Sequence, residues 1–247
     1  MSANSDTIGF RRGVVKPIEC LKAGLELVRP QYWLFVGIAV VGVIIASCVP
    51  MGILMGPMMC GIYLTLFKQR RGQPVEFRDL FNGFDYFGDS LIAALLHMVP
   101  VFVIIIPTYI MFYISLGALI AASGNQPDPG VVLSFFGVWG IILIVLMVVM
   151  TLISIAFMFT YPLIVDRRLS GVDAVKLSMK AAMANFWGLL GLVLINGLSG
   201  LVGVLLCYVG AILVLPINFG AIAMAYEQVF GLSDAQPNLT PPPPSIV

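Results

Sequence analysis

Charged residues are scarce in this 247-residue chain, at 10%, and histidine occurs once. Soluble domains carry about 25% charged and about 45–50% apolar residues. Here the apolar share is 60% and the mean hydropathy +1.04, more apolar surface than a soluble fold of this length can hide. The net charge of +1 gives no basic footprint for nucleic acid, and so apolar a chain is not disordered. Cys20, Cys48, Cys60 and Cys207 form no C-x-x-C pair, and with His97 as the sole histidine they offer no zinc set. The expectation is four small buried hydrophobes, no metal and no cofactor. G-x-S-x-G, H-E-x-x-H and P-loop motifs are missing, and no Asp/Glu/His set converges, so no enzyme is expected. Glu76, Asp85 and Asp89, beside Arg78, read as a solvated face rather than a metal site.

What is present is long apolar runs. A helix needs about 20 residues to cross a ~30 Å hydrocarbon core. Candidate spans are about 32–49, 50–67, 91–121, 131–165, 186–207 and 210–230. The first two form a tight hairpin at Val49-Pro50, and kinks at Pro100 and Pro107 absorb the excess length of the third. No cleaved signal peptide is expected, so the run from Tyr32 acts as an uncleaved anchor. Arg11, Arg12, Lys16, Lys22 and Arg29 precede the first span. Lys68, Arg70, Arg71 and Arg78 follow the second; Arg167, Arg168, Lys176 and Lys180 follow the fourth. Six spans put every one of these on one face, which the positive-inside rule makes cytoplasmic, with both termini inside. Tyr32, Trp33, Tyr161, Phe186, Trp187 and Tyr226 fit an aromatic belt at the inner ends.

The fold expected is therefore all-α: a polytopic membrane protein with a six-helix transmembrane bundle. Residues 1–16 form a cytoplasmic segment, 17–231 the membrane domain, and 232–247 a Pro-rich, disordered cytoplasmic tail. Ile18-Glu19-Cys20-Leu21-Lys22 aligns with Val172-Asp173-Ala174-Val175-Lys176, and the register continues to Gln31-Tyr32-Trp33 and Asn185-Phe186-Trp187. A parallel internal repeat, about 18–72 and 172–231, follows: an amphipathic helix, an aromatic pair, then a hairpin with Pro57 or Pro216 in its second arm. Ile18, Leu21, Leu25 and Val28, like Val172, Val175, Met179 and Met183, recur at helical spacing beside charged stripes, the pattern of helices lying in the membrane interface. Ser170 with Asp173 resembles a capping box. Phe77, Leu80, Phe81 and Phe84 mark a third interfacial element. Gly52-x-x-x-Gly56, Ser199-x-x-x-Gly203 and Ala221-x-x-x-Ala225 offer close helix seams.

No acidic or basic residue lies within a span core, where ion-coupled transporters and proton pumps normally keep one. The candidate intramembrane polar residues are His97, Asn196 and Asn218, each either a packing group or the lining of a polar path. The register counterparts of Asn196 and Asn218 are Gly42 and Met59, so an inherited symmetric site is not supported. Candidate contacts for anionic headgroups are Lys68, Arg70, Arg71, Arg167 and Arg168, at about 1 kcal/mol each near the surface.

The run Tyr161-Pro162-Leu163-Ile164-Val165-Asp166-Arg167-Arg168-Leu169-Ser170-Gly171, with Asp173-Ala174 and Lys176-Leu177-Ser178, resembles uncharacterised bacterial multi-pass membrane proteins. These are the YciC-like proteins and the glycerophosphoryl diester phosphodiesterase membrane domain. Asp79-Leu80-Phe81-Asn82-Gly83-Phe84 is also similar to that family. The resemblance implies a bacterial inner (plasma) membrane location and a six-helix domain, and no activity. The function expected is a non-catalytic membrane component acting through protein or lipid contacts, its partners the anionic inner leaflet and a membrane protein or second copy. The alternative is a permease or flippase for a neutral or lipid-like substrate.

Overall fold

The computed structural model describes residues 8–48, 52–123, 128–205 and 209–233, and among these it is helical throughout, without strands. The helices are α1 (Pro17–Val28), α2 (Tyr32–Cys48), α3 (Met55–Arg70), α4 (Phe87–Ser123), α5 (Pro129–Phe157), α6 (Thr160–Arg167), α7 (Gly171–Ala184), α8 (Phe186–Leu205) and α9 (Val209–Phe230). A 3₁₀ segment, Phe77–Tyr86, leads into α4. Five stretches are long and apolar enough to cross a membrane: Pro17–Cys48, Phe77–Ala122, Pro129–Arg167, Phe186–Leu205 and Val209–Phe230. The architecture is that of a multi-pass membrane protein. The Val49-Pro50 turn, the tip of the 122–130 connection, Cys207 and the tail beyond Ser233 lie outside the described residues.

The expected span 50–67 is not among the five. Gly52 turns the chain with φ +63°, and α3 begins only at Met55. Its 16 residues rise about 24 Å, short of the hydrocarbon core. From Gly56 to Lys68 nearly every residue is buried, so protein rather than lipid surrounds α3. Its neighbours are α1, α2, α4, α6, α9 and the 3₁₀ segment. Glycine makes that closeness possible: a Cβ on Gly61 would meet the Leu80 carbonyl, and one on Gly83 the Pro57 carbonyl.

The expected span 131–165 is two helices. α5 ends at Phe157 and α6 starts at Thr160, because Pro162 lacks the N–H that would bond Met158. Ser178 of α7 repairs the break. Its hydroxyl donates to the Ala156 carbonyl (2.7 Å) and accepts from the Phe159 N–H (3.1 Å). Pro100 and Pro107, in contrast, are carried inside α4.

One pole gathers the N-terminal segment, the end of α3, the α6–α7 and α7–α8 junctions and the end of α9. Arg11 N–H donates to the Val229 carbonyl (2.9 Å), and Lys16 N–H to Gln228 Oε1 (3.1 Å). Buried Asn185 accepts from Val14 N–H (3.1 Å) and donates to the Arg11 carbonyl (3.0 Å). α1 lies along α9, where a Cβ on Gly24 would strike the Ala221 backbone nitrogen. α7 packs instead on α4 and α5, so the two helices of the aligned segments have different neighbours. Ser170 caps α7, accepting from Asp173 N–H (3.2 Å), but the Asp173 carboxylate accepts from the Ser170 hydroxyl (2.8 Å) rather than completing a capping box. Away from this pole α4 and α5 form a projecting pair, pinned by Trp139 Nε1–H donating to Ser115 Oγ (3.1 Å).

Candidate functional site

A cavity of about 440 Å³ opens among α3, α4, α5, α6, α8 and α9, within the range of small-molecule sites. It brings together the intramembrane polar residues singled out from sequence. His97 enters from α4, Asn196 from α8 and Asn218 from α9. Tyr63, Ser154 and Tyr161, which sequence reasoning did not select for a site, add further polar groups. Met59, Phe157, Met158, Val193 and Ile222 form the apolar wall.

Each polar group is held differently. His97 stacks on Phe157, centroids 4.6 Å apart and planes 13° from parallel. Asn218 Oδ1 accepts from Ser199 Oγ–H (3.1 Å), an α8–α9 hydrogen bond of the kind that stabilises helix pairs in lipid. Asn196 Oδ1 is buried with no partner, and so is the Tyr161 hydroxyl. Buried polar atoms are normally satisfied, and these two belong to residues that line one cavity. Met59, the register counterpart of Asn218, also lines it, while Gly42 packs beside Ile62 and Leu80. No Lys, Arg, Asp or Glu is among the lining residues.

Beneath this cavity α6 ends in an ionic hub. The Asp166 side chain is fully buried and accepts from Arg71 Nη2 (2.7 Å) and the Tyr226 hydroxyl (2.8 Å). It also accepts from Ser233 N–H (3.1 Å) and Ser233 Oγ (3.0 Å). Arg167 Nη2 donates to the carbonyls of Phe230 and Gly231 (3.0 Å each), while its Nε lies 3.2 Å from Asp166 without a hydrogen bond. Beside the hub, Lys68 pairs with buried Asp79 (2.8 Å), and Arg70 grips Glu227 with two hydrogen bonds of 2.8 and 2.9 Å.

These pairings correct the set of headgroup-facing cations. Lys68, Arg71 and Arg167 turn into the protein, because burial of a carboxylate demands a cation. Arg168 is exposed, in a left-handed conformation (φ 51°), and Arg70 is half exposed beside Glu227. Sequence reasoning missed the hub because its members lie far apart in the chain. The signal available was Asp166 ending an apolar run beside two arginines. The aromatic belt also divides: Trp33 and Trp187 face outward, while Tyr161 and Tyr226 are buried. Cys20 and Cys60 are buried as expected, but Cys48 is exposed.

Comparison with protein-family models, curated proteins and solved structures finds no match for this chain.

Proposed function

We propose that this is a non-catalytic bacterial inner-membrane protein that works through lipid, seating an uncharged, lipid-like molecule in the cavity between its helices. The observation that carries the reading is the convergence of His97, Asn196, Asn218 and Tyr161 on one ion-free, largely apolar cavity. In this reading the chain crosses six times, with α3 as a short crossing encased by protein and both termini in the cytoplasm. What supports an even number is the pole at which Arg11, Arg71, Asp166, Gln228 and Ser233 meet. Interfacial roles for α1, α7 and the 3₁₀ segment are supported by apolar residues on their outer sides. Ile18, Leu25, Met179, Met183, Phe77, Phe81 and Phe84 all face out of the protein. Arg70, Arg168, Lys176 and Lys180 then meet anionic headgroups.

The repeat and the kinship with YciC-like proteins belong to the same reading. The repeat is supported by element order and by Tyr32–Trp33 and Phe186–Trp187, which pair edge-on at 75° and 73° at the heads of α2 and α8. A second reading, that the seated molecule is carried across, is favoured by the cavity drawing on α3 and on the α8–α9 hairpin.

Native mass spectrometry of the chain released from mild detergent tests the proposal. Stoichiometric lipid is expected, with less of it on Asn218→Leu. A chain that emerges with no lipid, wild type and variant alike, overturns it.

A further inference from the structure

A second cavity, of about 360 Å³, opens between α1, the end of α3 and α9, apart from the one that holds His97. Its lining combines Glu26, Gln69 and Arg70 with an apolar floor of Leu27, Pro30 and Met224. Glu26 and Arg70 are both exposed, so their charged ends are open to an occupant. Arg70 is held in place by Glu227, which accepts from its Nε and Nη2 (2.8 and 2.9 Å). A guanidinium carries five N–H donors, and those on Nη1 have no partner among the described residues. Glu26 likewise has no ion pair or hydrogen bond to any described residue.

Opposite charges thus line one cavity without meeting, since Arg70 pairs with Glu227 and not with Glu26. Such walls suit a zwitterion, its anion accepting from the guanidinium and its ammonium donating to the carboxylate. The balance of charge decides against a plain anion. Glu227 already offsets Arg70 and Glu26 adds a further negative charge, while Lys22 and Arg29 of α1 do not line the cavity. The arginine fork matches a phosphate, and a primary ammonium brings three donors to a carboxylate. In the topology proposed above, this pole faces the inner leaflet. Leu25 and Trp33, exposed next to the cavity's α1 residues in sequence, suit the headgroup zone. Going beyond the reading of the His97 cavity, we propose that this second cavity binds a phosphoethanolamine group, phosphate at Arg70 and ammonium at Glu26, carried by a phospholipid or free in solution.

Phosphatidylethanolamine, phosphatidylcholine and phosphatidylglycerol of one acyl composition, offered in equal amounts to the full chain in mixed micelles and read by native mass spectrometry, provide the test. The ethanolamine lipid is expected to be retained about tenfold over either of the others, the effect of one charge-assisted hydrogen bond. Glu26→Gln should erase that preference with the melting temperature unchanged, since the carboxylate has no partner to lose. Glu26→Lys should turn the preference toward phosphatidylglycerol, and Asn218→Leu, in the other cavity, should leave it intact. Equal retention of the three lipids overturns the assignment, as does a wild-type preference for phosphatidylglycerol or a preference that survives Glu26→Gln. In each of those cases the reading of the His97 cavity stands. Free glycerophosphoethanolamine in excess identifies the source: displacement of the lipid shows that the headgroup alone suffices, and its failure to displace assigns the site to the lipid, both upholding the proposal. Failure of lipid and free compound alike to bind overturns it.

Discussion

At the scale of the residue, Asp166 has the most to lose. Its carboxylate meets Arg71, Tyr226 and Ser233 with none of its side chain in contact with solvent. Breaking a buried ion pair by removing one partner strands the other, at about 3–5 kcal/mol. Asp166→Asn is therefore expected to lower the melting temperature of the detergent-solubilised protein by several degrees, with Tyr226→Phe costing less. A variant that melts with the wild type would show the hub to be dispensable. Asp166 at the end of an apolar run was the one local sign of it; the pairing itself was not legible, because Arg71 and Asp166 are 95 residues apart. His97, Asn196 and Asn218 were legible for the opposite reason: a polar residue in a long apolar run stands out by itself. Tyr161 was read as an interfacial ring because it falls at the inner end of an expected span. A separate helix, Thr160–Arg167, begins there instead, and the ring is buried.

At the scale of the element, the apolar runs gave the existence of α2, α4, α5, α8 and α9, whereas their breaks depended on tertiary partners. Pro162 interrupts a run that Pro100 and Pro107 do not, and Ser178 supplies the hydrogen bonds that make the interruption tolerable. The small-residue seams proved to be packing within the chain. Gly56 lies against Ser90 and Gly203 against Ala211. A further close pairing, Gly24 of α1 on Gly220-Ala221 of α9, was only half visible: Ala221 stood in one of the motifs, while Gly24 comes from a different element. Gly24→Val must push α1 off α9 and is expected to cost about 1–3 kcal/mol. Gly117→Val, where a Cβ meets nothing within 4 Å, is the control. Equal melting of the two variants would contradict the close α1–α9 contact.

At the scale of the whole molecule, the ion pairs and N-terminal contacts collect at one pole while α4 and α5 project from the other side. The proposed topology makes that pole cytoplasmic. In a chain with its own cysteines replaced, Lys180→Cys is expected to react with an impermeant maleimide only after cells are opened, and Asp128→Cys in intact cells. Labelling of Lys180→Cys from outside would reverse the orientation. The distribution of basic residues made the shared face visible from sequence. It did not show that Lys68, Arg71 and Arg167 turn inward, because a charge count carries no information on pairing.

The enclosure of α3 has a consequence for biogenesis. If α3 crosses the membrane, its 16 residues fall short of the about 20 a helix needs to span the hydrocarbon core, which makes it a poor substrate for unaided lateral exit from a translocon. The 3₁₀ segment, α2 and α4 cover it from either side in sequence, and the rest of its shelter comes from α6 and α9, which are synthesised about a hundred residues or more afterwards. Its enclosure is therefore complete only once the last helix, α9, has been made.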